Sequence, residues 1–143
     1  MSKIADFLTK CREERAFSGA AYAIGTSAGV VEQGAVGTLA WDGEPVELDS
    51  IWDLASVTKP IVALALMKLL ECGELCLDDR VSRFLPDYEG TNKAAVTLHQ
   101  LLTHTSGIPG QQPLYRSVRT SGEMMEAVKN LPLRFAPGTD VEY

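Results

Sequence analysis

Ser56 and Lys59 stand three residues apart in Ser56-Val57-Thr58-Lys59, and an apolar run begins two residues later. Residues i and i+3 share a helix face, so a helix starting at or just after Ser56 would bring its hydroxyl and the Lys59 amine into one space. A serine hydroxyl near pH 7 is a weak nucleophile and needs a neighbouring base. A lysine serves as that base only when burial, or the positive end of a helix dipole, disfavours its charge. Nine of the ten residues 61–70 are Ile, Val, Ala, Leu or Met, with Lys68 the exception. A helix apolar on nearly every side is expected to be central and covered. Its first backbone N–H groups could also receive a developing oxyanion. The pattern has only two fixed positions, however, and Ser56 could simply be an N-cap. Pro60 would then be the fourth helical residue, leaving the Ser56 carbonyl without its helical donor.

The elements around this stretch follow from periodicity. Residues 3–16 read as an amphipathic helix with Ile4, Phe7, Leu8 and Cys11 at helical spacing. Residues 18–26 and 30–36, joined by Ser27-Ala28-Gly29, read as a β-hairpin. Gly73 is expected to stop the nucleophile helix. Asp78 or Asp79 is expected to cap a short helix with Val81, Phe84 and Leu85 inward, ended by Pro86. Residues 87–95 read as a polar loop. Thr97 and Gln100 fit a capping box for a helix over 98–104, with Gly107 as the stop, and a further helix runs from Thr120 or Ser121 through Lys129. A two-stranded hairpin is too small a sheet to stand alone. Either the helices cover it, or further strands belong to it.

Composition narrows the functional classes. The 143 residues carry a net charge of −6 and no basic patch, which argues against nucleic acid or an anionic membrane as partner. The apolar run is too short to span a bilayer. The N-terminus carries charges throughout and has no signal-peptide core, so the chain as written reads as cytoplasmic, or as periplasmic or extracellular if a leader was removed. Cys11, Cys72 and Cys76 are odd in number and read as free thiols; no metal or organic cofactor is expected.

Four segments in order, DSIWDLASVTKP, LLECGELCLDDRVSRFLPDY, VTLHQLLTHTSGIP and FAPGTDVEY, resemble the serine β-lactamase-like family. That family includes class C β-lactamases, D-alanyl-D-alanine carboxypeptidases and related esterases. The resemblance implies an α+β fold of the β-lactamase/transpeptidase type. It is incomplete here, with residues 1–55 in the sheet part and 56–143 in the helical part. Ser56 matches the acylated nucleophile, with its own backbone N–H as one oxyanion donor. Lys59 matches the lysine that helps deprotonate it. Tyr143, 87 residues after Ser56, matches the tyrosine of a Tyr-x-Asn motif that shares the proton transfer. The Asn and the family's later Lys/His-Thr/Ser-Gly motif are not in this chain, nor are the C-terminal strands. An N-terminal fragment, weakly active or inactive alone and prone to self-association through its incomplete sheet, is therefore expected.

His104 lies in the segment that the resemblance makes structural. A Ser-His-Asp triad using it lacks the Gly-x-Ser-x-Gly elbow and a distinctive Asp. Gln112 and Tyr115 lie in the 109–115 loop, which reads first as solvated and only second as the edge of a pocket. The implied substrate is a β-lactam, a D-Ala-D-Ala peptide or a small ester. A non-catalytic penicillin-sensing or scaffolding relative is the alternative.

Overall fold

The computed structural model describes residues 2–143, which divide into two units at residue 54. In the first, Ser2 caps helix α1 (Lys3–Glu13) by accepting from the Ala5 N–H at 3.2 Å. Strands β1 (Gly19–Thr26) and β2 (Gly29–Gly37) follow as an antiparallel hairpin, in register from Gly19 opposite Gly37 to Ile24 opposite Glu32, with a bulge after Ile24. α1 packs on β2. The Arg12 Nε donates to the Ser18 carbonyl at 2.9 Å, and the Arg15 guanidinium lies 4.5 Å from the Trp41 ring. Gly19 has no room for a side chain, because a Cβ would meet the Val46 side chain and the Thr38 carbonyl at 2.5 Å. No third strand joins the sheet among the described residues.

The second unit is helical. A 3₁₀ turn over Ala55–Val57 leads into α2 (Thr58–Glu71). α2 ends as its sequence suggests. Gly73 takes φ +72°, its N–H bonds the Leu70 carbonyl, and the Glu74 N–H bonds that of Leu69, a Schellman closure. Then come α3 (Val81–Phe84), α4 (Leu98–Leu102) and α5 (Ser121–Asn130), with 3₁₀ turns at Pro86–Tyr88 and Leu114–Arg116. Both α4 and α5 open on full capping boxes, Thr97 with Gln100 and Thr120 with Glu123. The unit's core is Val81, Tyr88 and Val96, with Leu85 packed against it. None of the described helices is long and apolar enough to cross a membrane.

Three expectations are corrected. Arg80, not Asp78 or Asp79, is the residue before α3; the Asp79 carboxylate instead accepts from the Cys76 N–H and pairs with Arg83, which holds its acid below the usual range. Phe84 is not inward but 43% exposed. And α2 is not covered: no residue of it is buried, and Leu64 is 70% exposed. Its all-round apolar character records what the helix is suited to pack against, and these 143 residues supply only part of that.

The polar reading of residues 87–95 also misses one contact. Lys93 is 1% exposed, and its amine donates to the Lys129 carbonyl at 2.6 Å and to the Leu131 carbonyl. It thus satisfies orphan acceptors at the C-terminal end of α5, where the helix dipole favours a cation.

Candidate active site

Ala55 adopts φ +45°, a left-handed conformation rare for a residue with a Cβ, immediately before Ser56. Such strain concentrates where a side chain must be aimed. Ala55 is the first residue of the 3₁₀ turn that carries Ser56, and Lys59 is the second residue of α2 directly after it. The result is direct contact: the Lys59 amine donates to the Ser56 hydroxyl oxygen at 3.2 Å. Ser56 is not the N-cap of α2. That position is Val57, which makes no side-chain cap bond. Pro60 therefore falls at the third helical position, where an N–H would have no helical partner anyway. The apparent conflict between Pro60 and the helix disappears. The Ser56 N–H lies in this opening turn, whose first amides have no acceptor within it.

Tyr143 arrives from the far end of the chain. Its ring centroid is 4.9 Å from the Lys59 amine, and hydrogen bonds with Ser56, then with Lys59, hold its phenol below the ordinary value of 10.0. The positive charge of Lys59 adds to this, while partial desolvation opposes it. The three residues singled out from sequence, 87 positions apart at the extremes, thus meet at one point.

His104 stands beside them but makes a different contact. At φ +58° it ends the α4 segment, and its ring meets the Tyr143 ring edge-on at 4.9 Å. Three backbone bonds then run between its segment and the last stretch of chain. The Glu142 N–H donates to the His104 carbonyl at 2.9 Å, Gly138 N–H to Thr105 at 2.7 Å, and Arg134 N–H to Gly107 at 2.9 Å. Gly107 has φ +77°, and a Cβ there would meet the Phe135 carbonyl at 2.3 Å, so no other residue fits this approach. Sequence reasoning took Gly107 for a helix stop; its close contact with Phe135 was the missed part. Gln112 donates to the Gly110 carbonyl within its own loop, and Tyr115 is exposed.

Beside Lys59 an apolar groove of about 540 Å³ runs between α2 and α4, with Val62, Leu66, Leu98, Leu101 and His104 among its walls. A second hollow, of about 490 Å³, lies in the first unit over β1 and has no charged residue in its lining. Among the described residues no group of three or more His, Cys, Asp or Glu is placed to hold a metal ion.

Comparison with known proteins matches this chain to one family. The family model described as Beta-lactamase covers residues 4–143. The chain is 38% identical over 120 residues to Esterase EstB of Burkholderia gladioli, an alignment that spans 71% of this chain and 31% of that protein. It is 34% identical over 109 residues to the D-alanyl-D-alanine-carboxypeptidase/endopeptidase AmpH of Escherichia coli K12, covering 68% of this chain and 28% of the relative. It therefore spans about a third of the length of these relatives. Among solved structures, the octameric penicillin-binding protein homologue from Pyrococcus abyssi superposes with a TM-score of 0.79 at 28% identity, over 99% of this chain and 35% of its own. With the family model spanning nearly every residue and the fold shared with solved members, the chain belongs to the Beta-lactamase family.

Proposed function

We propose that this chain carries the nucleophile of an acyl-transferring serine hydrolase, with Ser56 as the acylated residue. One observation carries the reading: the Lys59 amine donates to the Ser56 hydroxyl at 3.2 Å, and the Tyr143 ring lies 4.9 Å from that amine, its phenol lowered by its interaction with Ser56 and then Lys59. A phenol with a lowered pKa spends a larger fraction of its time as phenolate, which can accept the serine proton. The Ser56 oxygen attacks the substrate carbonyl carbon and forms a C–O bond. Its proton passes to Tyr143, with Lys59 steadying the anion. The tetrahedral intermediate breaks its bond to the amine or alcohol, which takes up that proton and leaves, or, for a β-lactam, stays tethered as the opened ring. Water then cleaves the acyl ester and restores the hydroxyl. The Ser56 N–H is one donor to the oxyanion. The substrate class is a β-lactam, a D-Ala-D-Ala peptide or a small ester, since the relatives named above comprise an esterase and a carboxypeptidase.

Mass spectrometry after exposure to an activated ester or a penicillin tests this. The expected result is one added acyl group on Ser56. Turnover by this chain alone is expected to be slow, and a long-lived adduct with few turnovers fits both a short-handed hydrolase and a penicillin-sensing relative. Rapid steady turnover would contradict that expectation, and no adduct with any of these probes would overturn the reading as a whole.

The pH dependence follows from Tyr143. If its phenolate accepts the serine proton, the acylation rate should climb with pH along a limb whose midpoint lies below 10, because its bonds to Ser56 and Lys59 favour the anion. Tyr143→Phe should remove that limb. A limb that persists unchanged in the phenylalanine variant would assign the proton transfer elsewhere.

We also propose that copies of this chain self-associate. The sheet has two strands and unpaired outer edges, and unpaired edges template pairing with other chains. Val30 and Val31 on β2 are exposed as well. Light scattering across a concentration series should show mass rising above the 15.5 kDa monomer. A monomer that persists at high concentration would refute it.

A further inference from the structure

The residue before the phenol is held from three directions. The Glu142 N–H donates to the His104 carbonyl at 2.9 Å. Its Oε1 accepts from the Gly110 N–H at 3.3 Å and pairs with the Arg134 guanidinium at 3.0 Å. The carboxylate is 19% exposed while Arg134 is 55% exposed, so the acid is tucked under and the arginine reaches in from the surface. Gly110 also meets the phenol-bearing residue itself: a Cβ there would come within 2.9 Å of the Tyr143 carbonyl carbon. The Glu142 backbone N–H and its carboxylate therefore tie residues 104, 110 and 134 together around the backbone of Tyr143.

A half-exposed ion pair adds little to stability. Its geometry matters more, since an error of about 1 Å in a proton-transfer group can cost on the order of 10²-fold in rate. We infer that Glu142, gripped by Arg134 and the Gly110 N–H, is a positioning residue that sets Tyr143 against Ser56 and Lys59. This inference rests on the proposed roles of those three residues.

The test compares Glu142→Ala, Glu142→Gln and Gly110→Ala with the parent chain. One readout is the ultraviolet titration of the Tyr143 phenolate, isolated by subtracting Tyr143→Phe from each background. The other is the rate of Ser56 labelling by p-nitrophenyl acetate. The sign of the titration shift separates two effects. Loss of a nearby anion alone would favour phenolate and move the midpoint down. Displacement of Tyr143 away from Ser56 and Lys59 would remove the bonds that lower it and move the midpoint up toward 10. Glu142→Ala and Gly110→Ala are expected to move it up and to slow labelling about tenfold or more, with the cooperative melt retained. Glu142→Gln keeps an acceptor for the Gly110 N–H and should fall between. A midpoint unchanged or lowered in Glu142→Ala and Gly110→Ala would overturn the inference. Should the parent chain fail to label, the proposed function falls, and the titration still decides the positioning role. If Glu142→Ala does not fold, Gly110→Ala and Glu142→Gln carry the same comparison.

Discussion

Ser56→Ala is expected to abolish acylation, with the labelling rate falling at least about 10³-fold and no acyl mass recovered on any other residue. The effect is large because no neighbour can take over. Lys59 donates to the serine oxygen, and the phenol of Tyr143 is lowered chiefly by its interaction with Ser56, so both are arranged around that residue. Removing the oxygen leaves two proton-handling groups with nothing to activate. The variant should fold like the parent, because Ser56 is exposed and caps no helix. Intact-mass spectrometry over time, with a melt as the control, measures both. Labelling that survives in Ser56→Ala would place the nucleophile elsewhere.

Lys93→Met is expected to give the largest loss of stability among single changes in the second unit. Methionine keeps much of the length but cannot donate, so the Lys129 and Leu131 carbonyls lose their partner. A fully buried acceptor left alone costs about 1–3 kcal/mol, and since both bonds are part-buried the pair should together cost about that much and lower the melting temperature by several degrees. An opposing effect exists, because burial disfavours the charge and holds the amine below its usual 10.5. The carbonyls and the negative end of α5 are expected to outweigh it. The same shift fixes a pH signature. Between the depressed folded value and 10.5 the unfolded chain binds more protons at this site, so its contribution to stability rises with pH across that window. Below the window the amine is protonated in both states and adds no slope. Denaturant melts of parent and variant against pH should show the rise only in the parent. A methionine variant as stable as the parent would show that the amine merely tolerates its burial.

Much of the local structure was legible in the sequence because its causes are local. Thr97 with Gln100 and Gly73 after α2 act within a few residues and took their expected places, and Thr120, one of the two residues expected to open α5, is its cap. The hairpin was equally readable from alternation and a turn. The spacing of Ser56 and Lys59 predicted their contact, although Ser56 sits in a 3₁₀ turn that opens on a strained Ala55, which no propensity reveals. What escaped was set by distant partners. Lys93, between Asn92 and Ala94, looks like any loop lysine until α5 ends above it. Asp79 resembles a cap until Arg83 and the Cys76 N–H claim it. The apolar run of α2 predicted a covered helix, because pattern reports affinity for neighbours and not their presence in these residues. Tyr143 could be named only by resemblance; nothing in its own surroundings in sequence signals a lowered phenol.

The three main-chain bonds joining residues 104–107 to 134–142 close the intervening stretch at its neck. The stretch between, which holds the Leu114–Arg116 turn and α5, therefore hangs from a closed base. Local opening of that stretch is expected to leave the phenol seated, because the join and not the bulge fixes where residue 143 lies.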